Sequence, residues 1–285
     1  MSRIGLVAEG GGMKCAYSAG IMDKFLDYGI KFDYCIGVSA GSANLASLMA
    51  GQRERNLHFY VDHVKDPDYF GVRPFLKTGN LFNLQYIYGT LTNEDGAEAL
   101  DFDKILENPC EYELAATNAL TGKPEYFNKN QMIKNNYIHI MASSAIPAVS
   151  KPVLINQVPY FDGGVSDAIP ARRALDNGCD KLVFVLSKSR HYKKKPQGMK
   201  FIYSLLCHKY PAIIKDLNNR HIMYTAAQKL MFELEKQGKA FIFSLETGLK
   251  ISTYAMDPVL NRKLYDNGLS DFEAKKEAFF KFMEK

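Results

Sequence analysis

Apolar and polar positions in the first fifty residues follow one pattern twice. Residues 4–9 form a short apolar run that ends in three glycines, and residues 14–28 then carry apolar side chains at helical spacing. Residues 32–38 alternate like a strand, and residues 40–51, rich in small side chains, are typical of a helix that packs closely. The pattern predicts two successive β-turn-α units. Such units build a parallel sheet with both turns at its carboxyl edge.

Strand and helix patterns continue to alternate along the rest of the chain. Further strands are predicted over 110–117, 125–127, 153–155, 158–161, 181–186 and 240–245, with a hairpin at 156–157. Helices are predicted over 52–64, 101–107, 131–144, 171–177, most of 201–237, and 258–285. The apolar stripe within 201–237 is predicted to face the core and consists of Leu205, Ile213, Leu217, Met231 and Leu234. Residues 66–96 lack clear periodicity and are interpreted as a cap or lid. The fold class is therefore α/β, and we predict one domain over residues 1–285, with the motifs that carry chemistry within 4–186.

Composition excludes few classes of protein, but the net charge limits which kinds of partner are expected. Hydrophobic residues at 47% and charged residues at 24% are ordinary for a soluble globular protein. The net charge of +5 suits an anionic partner surface and does not demand nucleic acid, so no nucleic-acid partner is predicted. Neither a signal peptide nor an apolar run of membrane-spanning length is present, which predicts a cytoplasmic protein with at most peripheral contact at the inner membrane face.

Five scattered cysteines, with no Cys-x-x-C pair and no histidine at metal spacing, predict reduced thiols. They form neither a disulfide framework nor a zinc site. We therefore predict that the protein uses no metal and no other cofactor.

The strongest candidate for chemistry is Ser39. Gly37, Ser39 and Gly41 form G-x-S-x-G between a predicted strand and a predicted helix, the pattern that exposes a serine hydroxyl on a strained corner. The N-terminus of the following helix would favour negative charge developing beside that hydroxyl. An accidental match in a loop is the alternative, but the strand and the helix that the motif needs are both predicted. Ser39 is therefore the candidate nucleophile.

Three consecutive glycines, Gly10, Gly11 and Gly12, supply candidate donors for an oxyanion, because backbone N–H groups at such a corner are not crowded by side chains. Two phosphate-binding alternatives fit poorly. A dinucleotide fingerprint would need a glycine where Cys15 stands, and a P-loop would need Gly-Lys-Ser/Thr where residues 12–15 are Gly-Met-Lys-Cys.

The base is harder to identify from the sequence. None of the six histidines lies in a loop that obviously ends a strand, and Ser39 follows only the second predicted strand, which argues against an α/β-hydrolase. Asp162 ends a predicted strand and precedes two glycines, Gly163 and Gly164, which leave its carboxylate uncrowded. Taken alone, Asp-Gly-Gly is better explained as an ordinary turn.

Four motifs in this order resemble the patatin-like phospholipase family, most closely its compact bacterial members. They are Gly-Gly-Gly-Met-Lys at 10–14, Gly-Val-Ser-Ala-Gly at 37–41, Ala-Ser-Ser-Ala-Ile-Pro at 142–147 and Asp-Gly-Gly at 162–164. The resemblance implies a three-layer α/β/α fold with a mainly parallel central sheet. It also implies a Ser-Asp dyad of Ser39 as nucleophile and Asp162 as base, an oxyanion hole at Gly10, Gly11 and Gly12, and hydrolysis of lipid or fatty-acyl esters without a metal.

Two positions depart from the family pattern. Lys14 stands where arginine is frequent and keeps the charge but not the planar fork, while Cys15 adds a side chain where glycine is frequent. The basic segment 187–200 is interpreted mainly as a solvated loop. Together with the two departures, it supports an alternative function: a non-catalytic lipid-binding or regulatory protein of the same fold. A nucleotide-binding protein is a distant third. Head group, acyl chain length and oligomeric state are not predicted.

Overall fold

A computed structural model describes residues 2–246 and 251–284. In this part of the chain eight strands form one sheet in the order β5-β6-β3-β2-β1-β7-β8, with β4 paired to β3. Their bounds are β1 Ile4–Ala8, β2 Tyr34–Val38, β3 Glu111–Asn118, β4 Pro124–Asn128, β5 Val153–Ile155, β6 Val158–Asp162, β7 Lys181–Leu186 and β8 Ala240–Ser244. The run β3-β2-β1-β7-β8 is parallel, and β4, β5 and β6 pair antiparallel.

Helices cover both faces of this sheet. They are α1 Ala16–Asp27, α2 Ala40–Met49, α3 Arg55–Val61, α4 Val72–Thr78, α5 Phe102–Glu107, α6 Ile138–Ser144, α7 Ala171–Asp176, α8 Lys200–Leu206, α9 Pro211–Lys236 and α10 Pro258–Glu284. Among the described residues no helix combines the length and the apolar character needed to cross a lipid bilayer.

Successive side chains of β1 point to opposite faces of the sheet and join the two hydrophobic cores on either side of it. Leu6 points into a core that it shares with Phe25 of α1 and Phe272 of α10. Val7, the next residue, points to the opposite face and into a second core with Met231 of α9. Because successive strand residues point to opposite faces, a strand buried on both sides is apolar throughout. This arrangement confirms the α/β fold with a three-layer architecture and a mainly parallel sheet.

The C-terminal helix packs directly on the N-terminal one. A Cβ atom at Gly20 of α1 would lie 2.2 Å from the carbonyl oxygen of Tyr265, and one at Gly268 of α10 would lie 2.2 Å from that of Tyr17. Only glycine permits so close a crossing of two helix backbones. β8 likewise extends the sheet beside β7. The single domain over 1–285 stays a prediction.

Several predicted boundaries were wrong. The helix predicted over 131–144 begins only at Ile138, because Asn135 adopts a left-handed φ of 61° that a continuing helix excludes. Residues 66–96 contain α4 and a π-helical turn, Tyr86–Thr90. The helix predicted over 201–237 divides before Pro211, which cannot donate to the preceding turn. Lys285 of the predicted C-terminal helix lies outside the described residues.

Candidate active site

Ser39 occupies a strained corner between β2 and α2. Its backbone has φ 55° and ψ −133°, a conformation that costs a non-glycine residue on the order of 1–3 kcal/mol. Hydrogen bonds hold this conformation: the Ser39 N–H donates to Ser143 Oγ at 2.8 Å, and the Ser39 carbonyl accepts from the Ser42 hydroxyl at 2.6 Å. The G-x-S-x-G corner predicted from the sequence is therefore present.

Gly37 and Gly41 are required by close backbone contacts on either side of Ser39. A Cβ at Gly37 would lie 2.6 Å from Ser42 Cα, and a Cβ at Gly41 would lie 2.6 Å from the carbonyl oxygen of Glu9. The second contact joins the corner to the end of β1. Small residues thus bring the two β-turn-α corners together at the carboxyl edge of the sheet.

The glycine turn, Gly10 to Gly12, lies against Ser39. A Cβ at Gly10 would be 2.8 Å from Ser39 Cβ. Within the described chain the N–H groups of Gly10, Gly11 and Gly12 donate no hydrogen bond, whereas the next N–H, that of Met13, donates to the Thr253 carbonyl at 3.1 Å. The glycine turn therefore keeps backbone donors available beside the Ser39 hydroxyl.

Asp162 ends β6 and is buried, with 5% of its surface exposed. Burial raises the pKa of its carboxyl group, and the Ser39 hydroxyl, the Arg220 charge and the Gly164 N–H act in the opposite direction. The Gly164 N–H donates to Asp162 Oδ1 at 2.7 Å. Since the net shift is upward, the carboxylate is a stronger base than an exposed aspartate.

Ser39, Asp162 and the glycine turn line one cavity, which we call the Ser39–Asp162 cavity. Its volume is about 820 Å³ with the open mouth included. Gly164 also lines it, but Gly163 lies beneath, where a Cβ would be 2.2 Å from the Ala115 carbonyl oxygen. Lys14 does not line this cavity, and neither does any histidine of the described chain.

A second space, which we call the apolar pocket, is also lined by Ser39. Its volume is about 720 Å³ with the open mouth included. The side chains that line it are mainly apolar or aromatic and include Met13, Ala43, Ala46, Phe59, Tyr60, Tyr69, Phe82, Leu84, Ile87, Tyr88, Leu100, Ile140 and Ile146. Ser39 thus stands where a polar cavity and an apolar pocket meet.

A buried charged group behind the glycine turn was not predicted from the sequence. Glu9 is only 1% exposed, and its carboxylate forms an ion pair with Lys188 and accepts from the Tyr224 hydroxyl at 2.8 Å. Lys188, Lys194 and Arg220 all line the Ser39–Asp162 cavity. The interpretation of 187–200 as a solvated loop was therefore wrong for these two lysines. A signal existed, because Glu9 directly follows a buried strand at the edge where such folds place their sites.

Among the described residues, no group of three or more His, Cys, Asp or Glu side chains is placed to hold a metal ion. The absence of a cofactor stays a prediction.

The contacts of Gly11 give a first testable prediction. A Cβ there would lie 2.2 Å from Ser187 Oγ, a hydroxyl that donates to the Gly10 carbonyl at 2.7 Å. We expect Gly11→Ala to lower the free energy of unfolding by about 1–3 kcal/mol, as overpacking does. Gly198→Ala is the matched control, because nothing lies within 4 Å of its Cβ position. Urea unfolding checks both variants, and equal midpoints would contradict the close approach of Ser187 to Gly11.

Comparisons with known proteins follow the motifs. The family model described as Patatin-like phospholipase matches residues 6–175, and a second model, Domain of unknown function (DUF6363), matches 210–284. The Uncharacterized protein YjjU of Escherichia coli strain K12 is 28% identical over 201 residues, which cover 70% of this chain and 56% of YjjU. The chain therefore spans a little over half the length of that curated relative.

Among solved structures, the chain is similar to the crystal structure of VipD from Legionella pneumophila. The alignment has 11% identity and a TM-score of 0.42, and it covers 96% of this chain and 67% of that one. A likeness this distant carries no argument about function.

Proposed function

The chain belongs to the patatin-like phospholipase family, and from that premise we propose that it is a serine lipid acyl hydrolase in which Ser39 attacks the ester and Asp162 is the base. One observation carries the proposal: Ser39 and Asp162 line the same cavity as the glycine turn, whose N–H groups donate no hydrogen bond within the described chain. A nucleophile, a base and oxyanion donors are what acyl transfer by serine requires.

In the proposed first step, Ser39 Oγ forms a bond to the ester carbonyl carbon while its proton passes to the Asp162 carboxylate. A carboxylate with a pKa of about 4 cannot remove that proton beforehand, so transfer accompanies attack. The raised pKa of buried Asp162 reduces this mismatch. The carbonyl oxygen gains negative charge, and we propose that N–H groups of the glycine turn and the N-terminus of α2 stabilise it.

Collapse of this intermediate breaks the bond to the leaving alcohol, which takes the proton from Asp162. The acyl group then remains on Ser39. In the second half of the reaction, water attacks the acyl-enzyme and gives its proton to Asp162, and the fatty acid leaves as Ser39 regains that proton. One carboxylate thus serves in both halves.

The two spaces that meet at Ser39 suit the two halves of a lipid ester. We propose that the apolar pocket holds the acyl chain, since Phe59, Leu84 and Ile87 offer it only hydrocarbon. The Ser39–Asp162 cavity, lined by charged and backbone polar groups, would hold the alcohol portion.

Fatty-acid release from a panel of phospholipids, lysophospholipids and simple acyl esters tests the proposed function. A fluorophosphonate probe followed by peptide mass spectrometry should place the label on Ser39. Lipid binding without release of fatty acid from any member of the panel would instead support a non-catalytic lipid-binding protein.

We further propose that the protein acts while in peripheral contact with an anionic membrane. Two short helices expose apolar side chains: Phe201 and Leu205 of α8 are 81% and 61% exposed, and Leu76 of α4 is 79% exposed. The helical stripe over 201–237 predicts Leu205 in the core, and for this residue that prediction is wrong. Exposed lysines accompany α8, namely Lys193, Lys195, Lys200 and Lys209. Apolar side chains flanked by lysines are the features by which surface helices bind anionic lipid.

The position of both helices supports this contact. Leu81, just after α4, donates its N–H to the Val149 carbonyl at 2.8 Å, and the Ala148 backbone contacts Cys207 at the end of α8. Both contacts are made by the loop between α6 and β5. Ile146 of this loop lines both the Ser39–Asp162 cavity and the apolar pocket. The apolar helices therefore flank a loop at the site, where a bilayer could deliver its lipids.

Replacing Phe201 and Leu205 together by aspartate is expected to weaken binding to vesicles rich in phosphatidylserine by at least about 10-fold. Each side chain would lose on the order of 1.5–3 kcal/mol of burial in the membrane. Co-sedimentation measures the effect. Leu106→Asp is the matched control. Leu106 is also exposed, at 44%, but it lies on α5 at the end of the sheet where β3 begins, away from the site. Equal sedimentation of all three proteins would contradict the assignment of this surface.

A further inference from the structure

Three cationic side chains share the Ser39–Asp162 cavity with the reacting groups. Lys188 and Lys194 come from the segment after β7, and Arg220 comes from the middle of α9. Arg220 is distant in the sequence from the two lysines, so only the fold brings the three together. A polar cavity with three cations beside a candidate nucleophile suggests that the ligand carries negative charge.

Two of these cations already have protein partners. Lys188 forms an ion pair with buried Glu9, and its amine lies 5.2 Å from the centre of the Tyr224 ring. Arg220 donates from Nε to the Gly164 carbonyl at 2.6 Å, and its charge also acts on Asp162. These contacts fix the two side chains along the cavity wall.

Lys194 differs, because it forms neither a hydrogen bond nor an ion pair with any residue in the described ranges. Burial, and after it the charges of Arg220 and Lys188, lower the pKa of its amine to about 7. Glu9 and Asp162 act in the opposite direction but do not outweigh these effects. Lys194 is only half-buried, but an ammonium group beside two other cations is still less favourable there unless an anion accompanies it.

Resting on the proposed function, we propose that Lys194, with Lys188 and Arg220, forms an anion subsite that takes a phosphate group carried on the alcohol side of the ester. Phosphate has several acceptor oxygens and can accept from more than one cationic donor at once. Because the subsite and Ser39 line the same cavity, the phosphate and the ester belong to one substrate molecule of glycerophospholipid or lysophospholipid type. An uncharged glyceride would leave Lys194 without a partner.

A pair of ether lipids tests this subsite without depending on hydrolysis. 1-O-octyl-glycerol 3-phosphate and 1-O-octyl-glycerol have no ester and differ only in the phosphate, and calorimetry gives their dissociation constants. We expect the wild-type chain to bind the phosphate ether at least about 10-fold more tightly, as charge-assisted hydrogen bonds do. Lys194→Gln should remove most of this preference, and Lys194→Arg should restore much of it.

Lys195→Gln serves as the matched control, since it removes a neighbouring lysine that is exposed and does not line the cavity. Equal affinity of the wild type for the two ethers, or an unchanged preference in Lys194→Gln, would overturn the subsite. Inorganic phosphate separates the two sources of the anion. Tight binding of free phosphate without any preference between the ethers would mean that the site takes the free ion, which also overturns the proposal.

This experiment distinguishes failure of the subsite from failure of the proposed function. A preference for the phosphate ether in a protein that hydrolyses no ester would keep the subsite and reject the enzyme. Hydrolysis of esters with no preference between the ethers would keep the enzyme and reject the subsite.

Discussion

Replacing Ser39 by alanine is expected to lower ester turnover by at least about 10⁴-fold, the scale seen when a nucleophilic serine is lost. Alanine retains the Cβ atom that Ser39 places beside Gly10 and adopts the same φ of 55° at similar cost. The hydrogen bonds at this corner use the backbone of residue 39, from its N–H to Ser143 and from Ser42 to its carbonyl. The variant should therefore fold as the wild type does and lose only the reacting hydroxyl.

Turnover of a p-nitrophenyl ester measures this loss, and circular dichroism checks the fold. Ser270→Ala is the matched control, because Ser270 is exposed on α10. It should keep both wild-type turnover and fluorophosphonate labelling. If Ser39→Ala still hydrolysed the ester at the wild-type rate, or still took up the probe, another residue would be the nucleophile.

Replacing Asp162 by asparagine is expected to lower turnover by about 10³- to 10⁴-fold, comparable to the loss of an acid partner in serine hydrolases. The amide has nearly the same shape but cannot accept the serine proton. Its oxygen can still accept from the Gly164 N–H, which now donates to Asp162 Oδ1 at 2.7 Å. The loss of activity should therefore come from the missing base and not from a broken turn.

The same substitution is expected to change how stability depends on pH. Because burial raises the pKa of Asp162 in the folded chain, the folded state keeps this proton at pH values where the unfolded chain has lost it. The wild type therefore loses stability as pH rises from the ordinary carboxyl pKa, about 4, through the folded value. Asp162→Asn avoids this loss. The unfolding free energy of the variant minus that of the wild type should therefore be larger at pH 8 than at pH 4.

Urea unfolding at the two pH values measures this difference. Exposed Asp176 provides the matched control, and Asp176→Asn should change neither turnover nor the pH dependence. Under the proposed function, turnover should fall on acidification at a higher pH than an exposed aspartate would give, since Asp162 would have to be ionised to act as base. Wild-type turnover in Asp162→Asn would show that Asp162 is not the base.

Local patterns were sufficient to predict the two corners of the site. Each corner is encoded by a short stretch of chain, residues 10–12 for the glycine turn and 37–41 for the Ser39 corner, because each needs small residues at fixed positions. Asp162 was ambiguous in the sequence. Its approach to Ser39 depends on the antiparallel pairing of β6 with β3, which sets Ala116 opposite Asp162. The structure brings these residues to one cavity, and their chemical roles remain predictions.

The sequence by itself determined the α/β fold and the order of the motifs, because periodicity and turn residues act over short stretches of chain. Only the tertiary structure decided which charges are buried and which apolar residues are exposed. Lys194 and Leu205 show the difference: the lysine lies in a basic segment but lines the cavity, and the leucine follows a helical stripe but is exposed. Burial depends on what distant segments place against a side chain, and the local pattern does not contain that information.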